Sequence, residues 1–237
     1  MSNILRATKY QLMTFKPQSY LCLSIILLNI FISVTVTYLF TGSGVSAGST
    51  DSIAIIWIFI TGLLSFKRSF KFMLANAISR KTQFWANILS MAILSVTWAV
   101  TVALILSFIS RMNIQVIVLY TLFYGQNMAM SAVIWFSAAF YLLIILGWLI
   151  NMVYYRSSLR MAYAISFAPF VISGLLTMIN QTTQGKLFDF MLKFIVTAMG
   201  FSGSVPNPYI ASFSMLLLTV ILCAFNYRLI RKAQIKE

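Results

Sequence analysis

Histidine is absent from this sequence, and acidic residues are almost absent: only Asp51, Asp189 and Glu237 occur among 237 residues. Without histidine, the chain cannot build a Cys–His metal site or a histidine-dependent catalytic triad. None of the three acids falls within an apolar stretch. Intramembrane aspartyl proteases need two buried carboxyl groups, and carriers driven by protons or sodium commonly hold an Asp, Glu or His at mid-membrane. The sequence therefore argues against both classes of protein.

Two other kinds of site are missing as well. No GxxxxGK motif is present, so the chain does not bind and split ATP through a phosphate-binding loop of that type. The two cysteines, Cys22 and Cys223, lie in apolar stretches close to the predicted cytoplasmic surface. Because that compartment is reducing, we interpret them as small buried hydrophobic side chains and not as a disulfide.

What the sequence has in abundance is apolar residues. It is 61% hydrophobic and 8% charged, with a mean hydropathy of +0.93, which predicts an all-α integral membrane protein. A spanning helix needs about 20 apolar residues, and we predict six of them in a single transmembrane domain over residues 1–237, with nothing left for a soluble domain. The predicted spans are 20–40, 52–66, 84–109, 131–151, 161–179 and 209–227.

The basic residues lie between these spans, and their distribution orients the chain. With the amino terminus inside, fourteen of the seventeen Lys and Arg residues fall on the cytoplasmic side, against Arg111, Lys186 and Lys193 outside. Forcing residues 112–132 into a seventh span leaves ten inside against seven outside. The positive-inside rule therefore favours six spans with both termini cytoplasmic. It also accounts for the net charge of +14, so we expect no nucleic acid partner.

Segments outside the spans have an interfacial character. Residues 4–16 place apolar side chains in one helical sector with basic ones beside it, and Pro17 is predicted to close this interfacial helix. Residues 114–124 are too short to cross alone and are placed at the outer interface. Residues 186–199 carry a narrow polar stripe, which predicts a helix lying in, or dipping into, the outer leaflet. The Gly/Ser-rich loop 41–51 is interpreted as a flexible connection without a function.

The strongest functional candidate is the loop between spans two and three, residues 67–83. On a helix, Phe66, Phe70, Met73 and Ala77 share one stripe, with Leu74 beside it and basic residues on an adjacent face. Two interpretations remain open. The loop is either a membrane-surface helix that only sets topology, or a docking helix for a cytoplasmic partner, with aromatic and Met side chains that enter a groove.

A family resemblance supports the second interpretation. The loop, the sequence AISRKTQFWANIL at 77–89, the interfacial helix before span one and the outer helix between spans five and six resemble the membrane subunits of type-2 ATP-binding-cassette exporters. The small stand-alone permeases that Firmicutes use for peptides and antibiotics are the most similar in kind. The likeness covers the whole chain as architecture, whereas as a motif it is confined to the loop.

The resemblance implies a permease subunit in the bacterial cytoplasmic membrane, without enzymatic activity or a cofactor of its own. A separate ATPase subunit would bind ATP and Mg²⁺, and a second permease, identical or related, would complete the translocation path. Docking to the ATPase is implied for residues in and after the loop: Phe66, Phe70, Met73, Leu74, Ala77, Ile78, Ser79, Arg80 and Lys81. Spans two and five would face the path, with a bend at Pro169, and would offer it six residues: Trp57, Phe59, Thr61, Ser166, Phe167 and Phe170.

Two other functions stay open. A non-transporting immunity or sensor-associated subunit would bind an antimicrobial peptide at the outer surface through residues 114–124 and 186–196. An intramembrane enzyme is less consistent with the sequence, since no acid–base or nucleophile constellation is visible. For an exporter, the apolar spans suit amphipathic peptides, lipids and hydrophobic drugs equally.

Overall fold

The structure is a computed structural model that describes residues 3–41, 46–47, 50–111, 115–116, 118–125, 130–203 and 205–231. Within these residues the chain folds into α-helices joined by short connections, with one pair of two-residue strands. The elements are, in chain order, α1 (Asn3–Thr41), β1 (Ser46–Ala47), α2 (Thr50–Ala75), α3 (Arg80–Arg111), β2 (Gln115–Val116), α4 (Leu119–Tyr124), α5 (Met130–Arg156), α6 (Leu159–Thr182), α7 (Lys186–Ala198) and α8 (Pro208–Arg231).

Long apolar helices dominate the fold, as the composition predicts. Five of the described helices are long and apolar enough to cross a membrane: α3, α5, α6, α8 and, within α1, Asn3–Val36. The predicted class, a helical membrane protein, is thereby confirmed. α2 differs, because its 26 residues contain a shorter apolar stretch, Asp51–Phe66. That stretch gives about 24 Å of helix, against a bilayer core of about 30 Å.

The first helix differs from the prediction. Pro17 lies inside a single helix of 39 residues, so the expected separate interfacial helix ending at Pro17 is wrong. Proline lacks the N–H that would bond to the Met13 carbonyl, and it normally kinks or ends a helix. Here packing on both sides holds the helix together, since Phe15 before the proline and Cys22 after it are both buried in the main core.

The core is organised around α5. α2, α3 and α8 all pack along it, whereas α1 packs on α3 and α2. Trp148, Phe136, Phe140 and Ile144 of α5 are fully buried. α2 approaches α5 most closely where Gly62 meets the main chain of Ile144. Both cysteines are free, as predicted, with Cys22 and Cys223 packed among apolar side chains.

The long helices alternate in direction, which sorts the connections to two ends of the molecule. One end, termed the basic end, carries the start of α1, the α2–α3 and α5–α6 connections and the end of α8. Its described basic side chains are all exposed: Arg6, Lys9, Lys16, Arg80, Lys81, Arg156, Arg160, Arg228 and Arg231. The opposite end carries the remaining described charges: Asp51, Arg111, Lys186, Asp189 and Lys193.

At the opposite end, the connections that follow α1 and α3 meet. β1 and β2 form a parallel pair, with Ser46 beside Gln115 and Ala47 beside Val116. The loop 41–51, interpreted from its sequence as a plain connection, therefore contributes to a short ladder. Residues 42–45 and 48–49 of that loop lie outside the described residues.

Two short helices match the predicted interfacial segments. α4 has six residues and cannot cross a membrane, in agreement with the prediction for 114–124, of which 114 and 117 lie outside the described residues. The Asp51 carboxylate fixes the start of α4, because its Oδ2 accepts a hydrogen bond from the Leu119 N–H at 2.7 Å. α7 forms the helix predicted over 186–199.

α6 is packed unlike the other long helices. No residue of α6 or α7 is buried. The Tyr154 hydroxyl, near the end of α5, shares a hydrogen bond of 2.8 Å with Oγ of Ser166, and α6 packs chiefly on α7. Most of the α6 surface is therefore open to lipid or to another protein chain.

Candidate docking site at the basic end

The loop that the sequence singles out is a tight turn between two long helices. α2 continues to Ala75 and α3 begins at Arg80, so only residues 76–79, termed the α2–α3 turn, lie outside helix. No separate helix over 67–83 forms, in contrast to the prediction. The first part of that segment extends α2, because the apolar stripe that was expected to leave the membrane stays packed on the core.

Both helix ends are capped within the turn. The N–H of Ile78 donates to the carbonyl of Met73 at 3.0 Å, and Ala77 takes the left-handed backbone conformation with φ of 54°. This is the Schellman arrangement, which ends a helix firmly. Ser79 caps the start of α3, since its Oγ accepts the N–H of Thr82 at 3.2 Å. Both caps hold the turn in one conformation.

The apolar stripe before the turn faces the protein interior. Phe66, Phe70 and Met73 are all 0% exposed. The rings of Phe66 and Phe70 stack with centroids 4.7 Å apart, and Tyr155 at the end of α5 contacts both edge-on. These three side chains cannot touch a docked partner directly, which corrects the sequence prediction. Of Leu74 the structure describes only the backbone, within α2.

The amino-terminal part of α1 covers this stripe. Ala7 and Met73 are both buried in a small second core. Ile78 packs against this core. Tyr10 stacks on Phe72, with ring centroids 4.2 Å apart and 11° between the ring planes. The start of α1 and the α2–α3 turn therefore form one continuous surface.

The exposed part of the turn is small, polar and basic. Ala77, Ser79, Arg80 and Lys81 are exposed, whereas Ile78 is partly buried. A cavity of about 310 Å³, termed the turn cavity, opens beside them. Its lining combines the turn with the first residues of α1: Asn3, Arg6, Asn76, Ala77, Ile78, Ser79 and Thr82. A side chain of another protein would fit there.

A hydrogen bond ties the turn to the last helix. Nη1 of Arg80 donates to the carbonyl oxygen of Arg231 at 2.8 Å. It satisfies one of the terminal carbonyls of α8 and places a positive charge at the negative end of the helix dipole. The two described acids lie at the opposite end, and Glu237 lies outside the described residues. The described surface of the basic end is therefore uniformly positive and attracts anionic partners.

Sequence reasoning missed three contributors to this site that come from outside the loop 67–83. Asn3 and Arg6 line the turn cavity, and Arg231 receives the hydrogen bond from Arg80. All three are far from the turn along the chain, and the last contact joins residues 151 positions apart. The basic character of both termini was the available signal, but it does not specify which helices meet.

The residues proposed for a translocation path are not brought together within one chain. Those of α2 are partly or fully buried: Trp57, Phe59 and Thr61. Those of α6 are all exposed: Ser166, Phe167 and Phe170. Trp57 and Thr61 line an apolar groove of about 610 Å³ between α1 and α2, termed the α1–α2 groove. The α6 residues lie outside it.

An aromatic contact fixes the opposite end. Tyr124 of α4 stacks on Phe201, with centroids 5.4 Å apart, and its hydroxyl donates to the Met199 carbonyl at 2.8 Å. Burial raises the pKa of Tyr124 above its usual value, and the neighbouring Tyr120 adds to the increase. The hydroxyl therefore remains a donor at neutral pH. It joins α4 to the residue after α7.

In the described part of the chain, no three His, Cys, Asp or Glu side chains lie together as metal ligands would. The Asp51 carboxylate, which is fully buried, uses one oxygen to hold the start of α4.

Comparison with known proteins yields no relative. No protein-family model matches the chain, no characterised protein matches its sequence and no solved structure matches its fold. The geometry and chemistry of the chain itself therefore carry the functional conclusion.

Proposed function

We propose that this chain is the membrane-spanning permease subunit of an ATP-binding-cassette exporter, driven by a separate ATPase subunit that docks at the basic end. Its substrate would be an amphipathic or hydrophobic compound, such as a peptide toxin, an antimicrobial peptide or a drug. In this proposal the basic end faces the bacterial cytoplasm, both termini are cytoplasmic and α2 is the sixth membrane-crossing helix. The observation that carries it is the α2–α3 turn, an exposed and capped turn at the end of an unbroken, buried helix.

α2 is suited to transmit a displacement from the turn to the core. Its 26 residues form one helix of about 39 Å. Near the turn, Phe66 and Phe70 pack on Tyr155, and further along Gly62 packs on the main chain of Ile144. A force on the turn would therefore move α2 against α5 as a rod, because close-packed helices transmit strain.

The short apolar stretch of α2 is compatible with a membrane crossing. A helix whose flanks are covered by other helices does not have to match the bilayer thickness with its own apolar residues. Ala54, Ile58, Thr61 and Phe66 are all buried among neighbouring helices. Protein, and not lipid, surrounds most of α2.

The positions of the acidic residues support a partner at the basic end that supplies energy. No Asp, Glu or His occurs in α1, α3, α5, α6 or α8, and Asp51 of α2 lies in the first turn of its helix, away from the middle. A carrier coupled to a proton or sodium gradient needs such a group near the midplane. Motive force would then have to arrive from outside the spans, and the positively charged turn is the place where the described surface offers a rigid contact.

A second permease, identical or related, would complete the path. α6 buries no residue in the described chain, and its path residues lie apart from those of α2. A helix whose surface is mostly exposed gains van der Waals contacts when another helix packs on it. A dimer would supply that partner and bring α6 against a neighbouring surface.

The docking assignment can be tested with one matched pair of charge reversals. Arg6→Glu changes the wall of the turn cavity, whereas Arg160→Glu changes an exposed residue of the basic end in the first turn of α6. We expect the wild-type chain, purified from its own membranes in mild detergent, to retain ATP hydrolysis through a co-purifying subunit. Arg6→Glu should lose that activity and Arg160→Glu should keep it. Equal retention by both variants would contradict docking at the turn cavity.

The transport assignment needs a separate measurement. The chain reconstituted with its ATPase partner should move substrate across vesicles only when ATP is present, and the chain alone should hydrolyse no ATP. If the chain by itself accumulated a solute against a pH or sodium difference, the proposal would be wrong.

One observation favours a second candidate, a non-transporting subunit that binds an antimicrobial peptide at the outer surface. The hydrogen bond from Tyr124 to Met199 holds the end of α4 beside the end of α7, so the two segments required for such binding are neighbours. Peptide binding without ATP-dependent translocation would favour this candidate over the permease.

A further inference from the structure

A groove opens between α3 and α8 on the membrane-facing side of the molecule. Both helices pack along α5 but make few contacts with each other, so a cleft remains between them. The α3–α8 groove has a volume of about 450 Å³. It is lined by α3 between Lys81 and Ile88, by α8 between Thr219 and Tyr227, and by Tyr141 of α5 at its floor.

The groove matches one leaflet of a bilayer in length. From Thr219 to Tyr227, α8 rises about 12 Å, while half of a bilayer core is about 15 Å. Lys81 and Tyr227 lie towards the basic end, and Ile88 and Thr219 lie towards the middle of their helices. The groove therefore begins at the surface of the basic end and stops near mid-membrane.

The polarity of the groove changes along this length. Lys81 forms its mouth, and the next aromatic side chains inward are Trp85, which is 49% exposed, and Tyr227, which is partly buried. Beyond them the described lining is apolar apart from hydroxyl and thiol groups. A phospholipid has its groups in the matching order. Its phosphate would meet the cation, its glycerol esters the amphipathic aromatic rings, and its acyl chain the apolar walls.

Positive charge accumulates at the mouth without a described counter-charge. Lys81 lines it, and the preceding residue, Arg80, links α3 to α8 by its hydrogen bond to the Arg231 carbonyl. Arg228 and Arg231 lie in the last turn of α8. The two acids of the described chain are at the other end of the molecule. The mouth therefore attracts an anionic group.

We propose that the α3–α8 groove is a binding site for one anionic phospholipid of the leaflet at the basic end. One acyl chain lies between α3 and α8, and the phosphate contacts Lys81 and Arg228. This site is distinct from the turn cavity and does not depend on the permease assignment or on any protein partner.

Charge favours a lipid over a second copy of the chain. If the same groove of two copies formed a symmetric contact, each mouth would face the other, and two clusters of Lys and Arg would repel. A cationic amphipathic peptide is disfavoured for the same reason. Anionic phospholipid satisfies both the cationic mouth and the apolar walls.

Brominated phospholipids, whose acyl chains quench tryptophan on contact, provide the test. Trp85 lines the α3–α8 groove, whereas Trp57 lines the α1–α2 groove, whose described lining contains no charged side chain. Two single-tryptophan variants keep one of these residues, with the other four of the five tryptophans changed to Phe. Each variant is reconstituted in phosphatidylcholine vesicles that contain a fixed fraction of brominated phosphatidylglycerol or brominated phosphatidylcholine.

We expect Trp85 to prefer phosphatidylglycerol about fivefold, the size of the attraction between one basic residue and an anionic membrane surface. Lys81→Gln should abolish that preference. Trp57 should show equal quenching by both lipids, because no charged side chain is present in the described lining of its groove. Native mass spectrometry of the wild type and Lys81→Gln provides a second readout that keeps all tryptophans, and the wild type should retain more phosphatidylglycerol.

Three results would overturn the proposal. Equal quenching of Trp85 by both lipids would mean that the mouth does not select the headgroup. An equal phosphatidylglycerol preference at Trp57 and Trp85 would mean a general surface effect. No quenching of Trp85 by either lipid, together with cross-linking between copies through Cys223, would mean that another copy of the chain fills the groove.

Discussion

Gly62 of α2 lies directly against Ile144 of α5, so closely that a β-carbon at Gly62 would clash with the Ile144 carbonyl oxygen. The same pair of helices has a second such contact, because a β-carbon at Gly147 would be 2.6 Å from the Phe59 carbonyl oxygen. Glycines on both helices thus bring the two main chains together, as small residues do where membrane helices pack tightly.

Replacing either glycine should force the two helices apart. We expect Gly62→Ala and Gly147→Ala each to lower the free energy of unfolding by about 1–3 kcal/mol, since the obstacle is main chain that cannot rotate away. Gly174→Ala is the control, because a β-carbon there meets nothing within 4 Å. Unfolding of detergent-solubilised protein, followed by tryptophan fluorescence, measures the difference. Equal midpoints for Gly62→Ala and Gly174→Ala would refute the close contact.

The left-handed conformation of Ala77 gives a prediction of opposite sign. A residue with a β-carbon at a φ of 54° is strained, and glycine is not. Ala77→Gly should therefore raise the free energy of unfolding by about 1 kcal/mol. Ala164→Gly, at an exposed position inside α6, should instead lower it by about 0.5–1 kcal/mol. A loss of stability in Ala77→Gly would show that the turn does not adopt this conformation.

The hydrogen bond between α3 and α1 gives a third prediction. Oγ of Ser90 donates to Oε1 of Gln11 at 2.5 Å, and both residues are buried. Ser90→Ala should destabilise the protein by about 1 kcal/mol, because Gln11 then loses its buried partner.

Ser95→Ala is the matched control for this bond. Ser95 is equally buried, and its hydroxyl donates to the Ala92 carbonyl of α3 as the Ser90 hydroxyl does to the Asn87 carbonyl. Of the two serines, Ser90 has the additional bond to Gln11 of α1. A double-mutant cycle of Ser90→Ala with Gln11→Leu should give a coupling energy of about 0.6–1.7 kcal/mol. A coupling of zero would mean that the two side chains do not bond in the membrane.

Tyr124 should make stability depend on alkaline pH. Tyr124→Phe keeps the ring on Phe201 but loses the hydrogen bond to the Met199 carbonyl, which should cost about 1 kcal/mol at neutral pH. Because burial raises the pKa of Tyr124, its contribution is complete below the unfolded pKa of about 10 and decreases as the pH rises beyond it. The difference in unfolding free energy between wild type and Tyr124→Phe should therefore shrink above about pH 10. A difference that stayed constant there would contradict the hydrogen bond.

The positions of the long helices follow from composition, although their ends do not. The predicted span 131–151 lies within α5, and the predicted span 209–227 lies within α8. Hydropathy predicts the positions of both helices because lipid excludes charge from apolar segments. The helices continue to Arg156 and Arg231 because the backbone hydrogen bonds of a helix do not end where its apolar side chains do.

The apolar stripe of α2 shows what a sequence pattern cannot predict. Phe66, Phe70 and Met73 recur at helical spacing, which correctly predicts one shared face. Spacing does not reveal what covers that face. Here Tyr155 of α5 and Ala7 of α1 cover it, and both come from distant parts of the chain. Only tertiary packing could show that the apolar side chains anchor the turn and that its polar side chains form the surface.

Pro17 illustrates the reverse case, in which a strong local rule gives way. Proline normally ends a helix, and the rule predicted a break before the first span. The buried side chains Phe15 and Cys22 lie on either side of it, and their burial in one core keeps both halves of α1 in register. Local preference and packing therefore have to be weighed together for such a residue.

The dependence of α8 on α5 has a consequence for how the protein is made. α8 is the last of the described helices to leave the ribosome, and it packs mainly on α5, where Asn226 donates to the Ile145 carbonyl at 3.4 Å. Until α8 enters the bilayer, that side of α5 remains uncovered while the preceding helices are already inserted. A nascent chain interrupted before α8 would thus leave the Ile145 carbonyl without the Asn226 amide and expose the side of α5 that α8 covers in the complete fold.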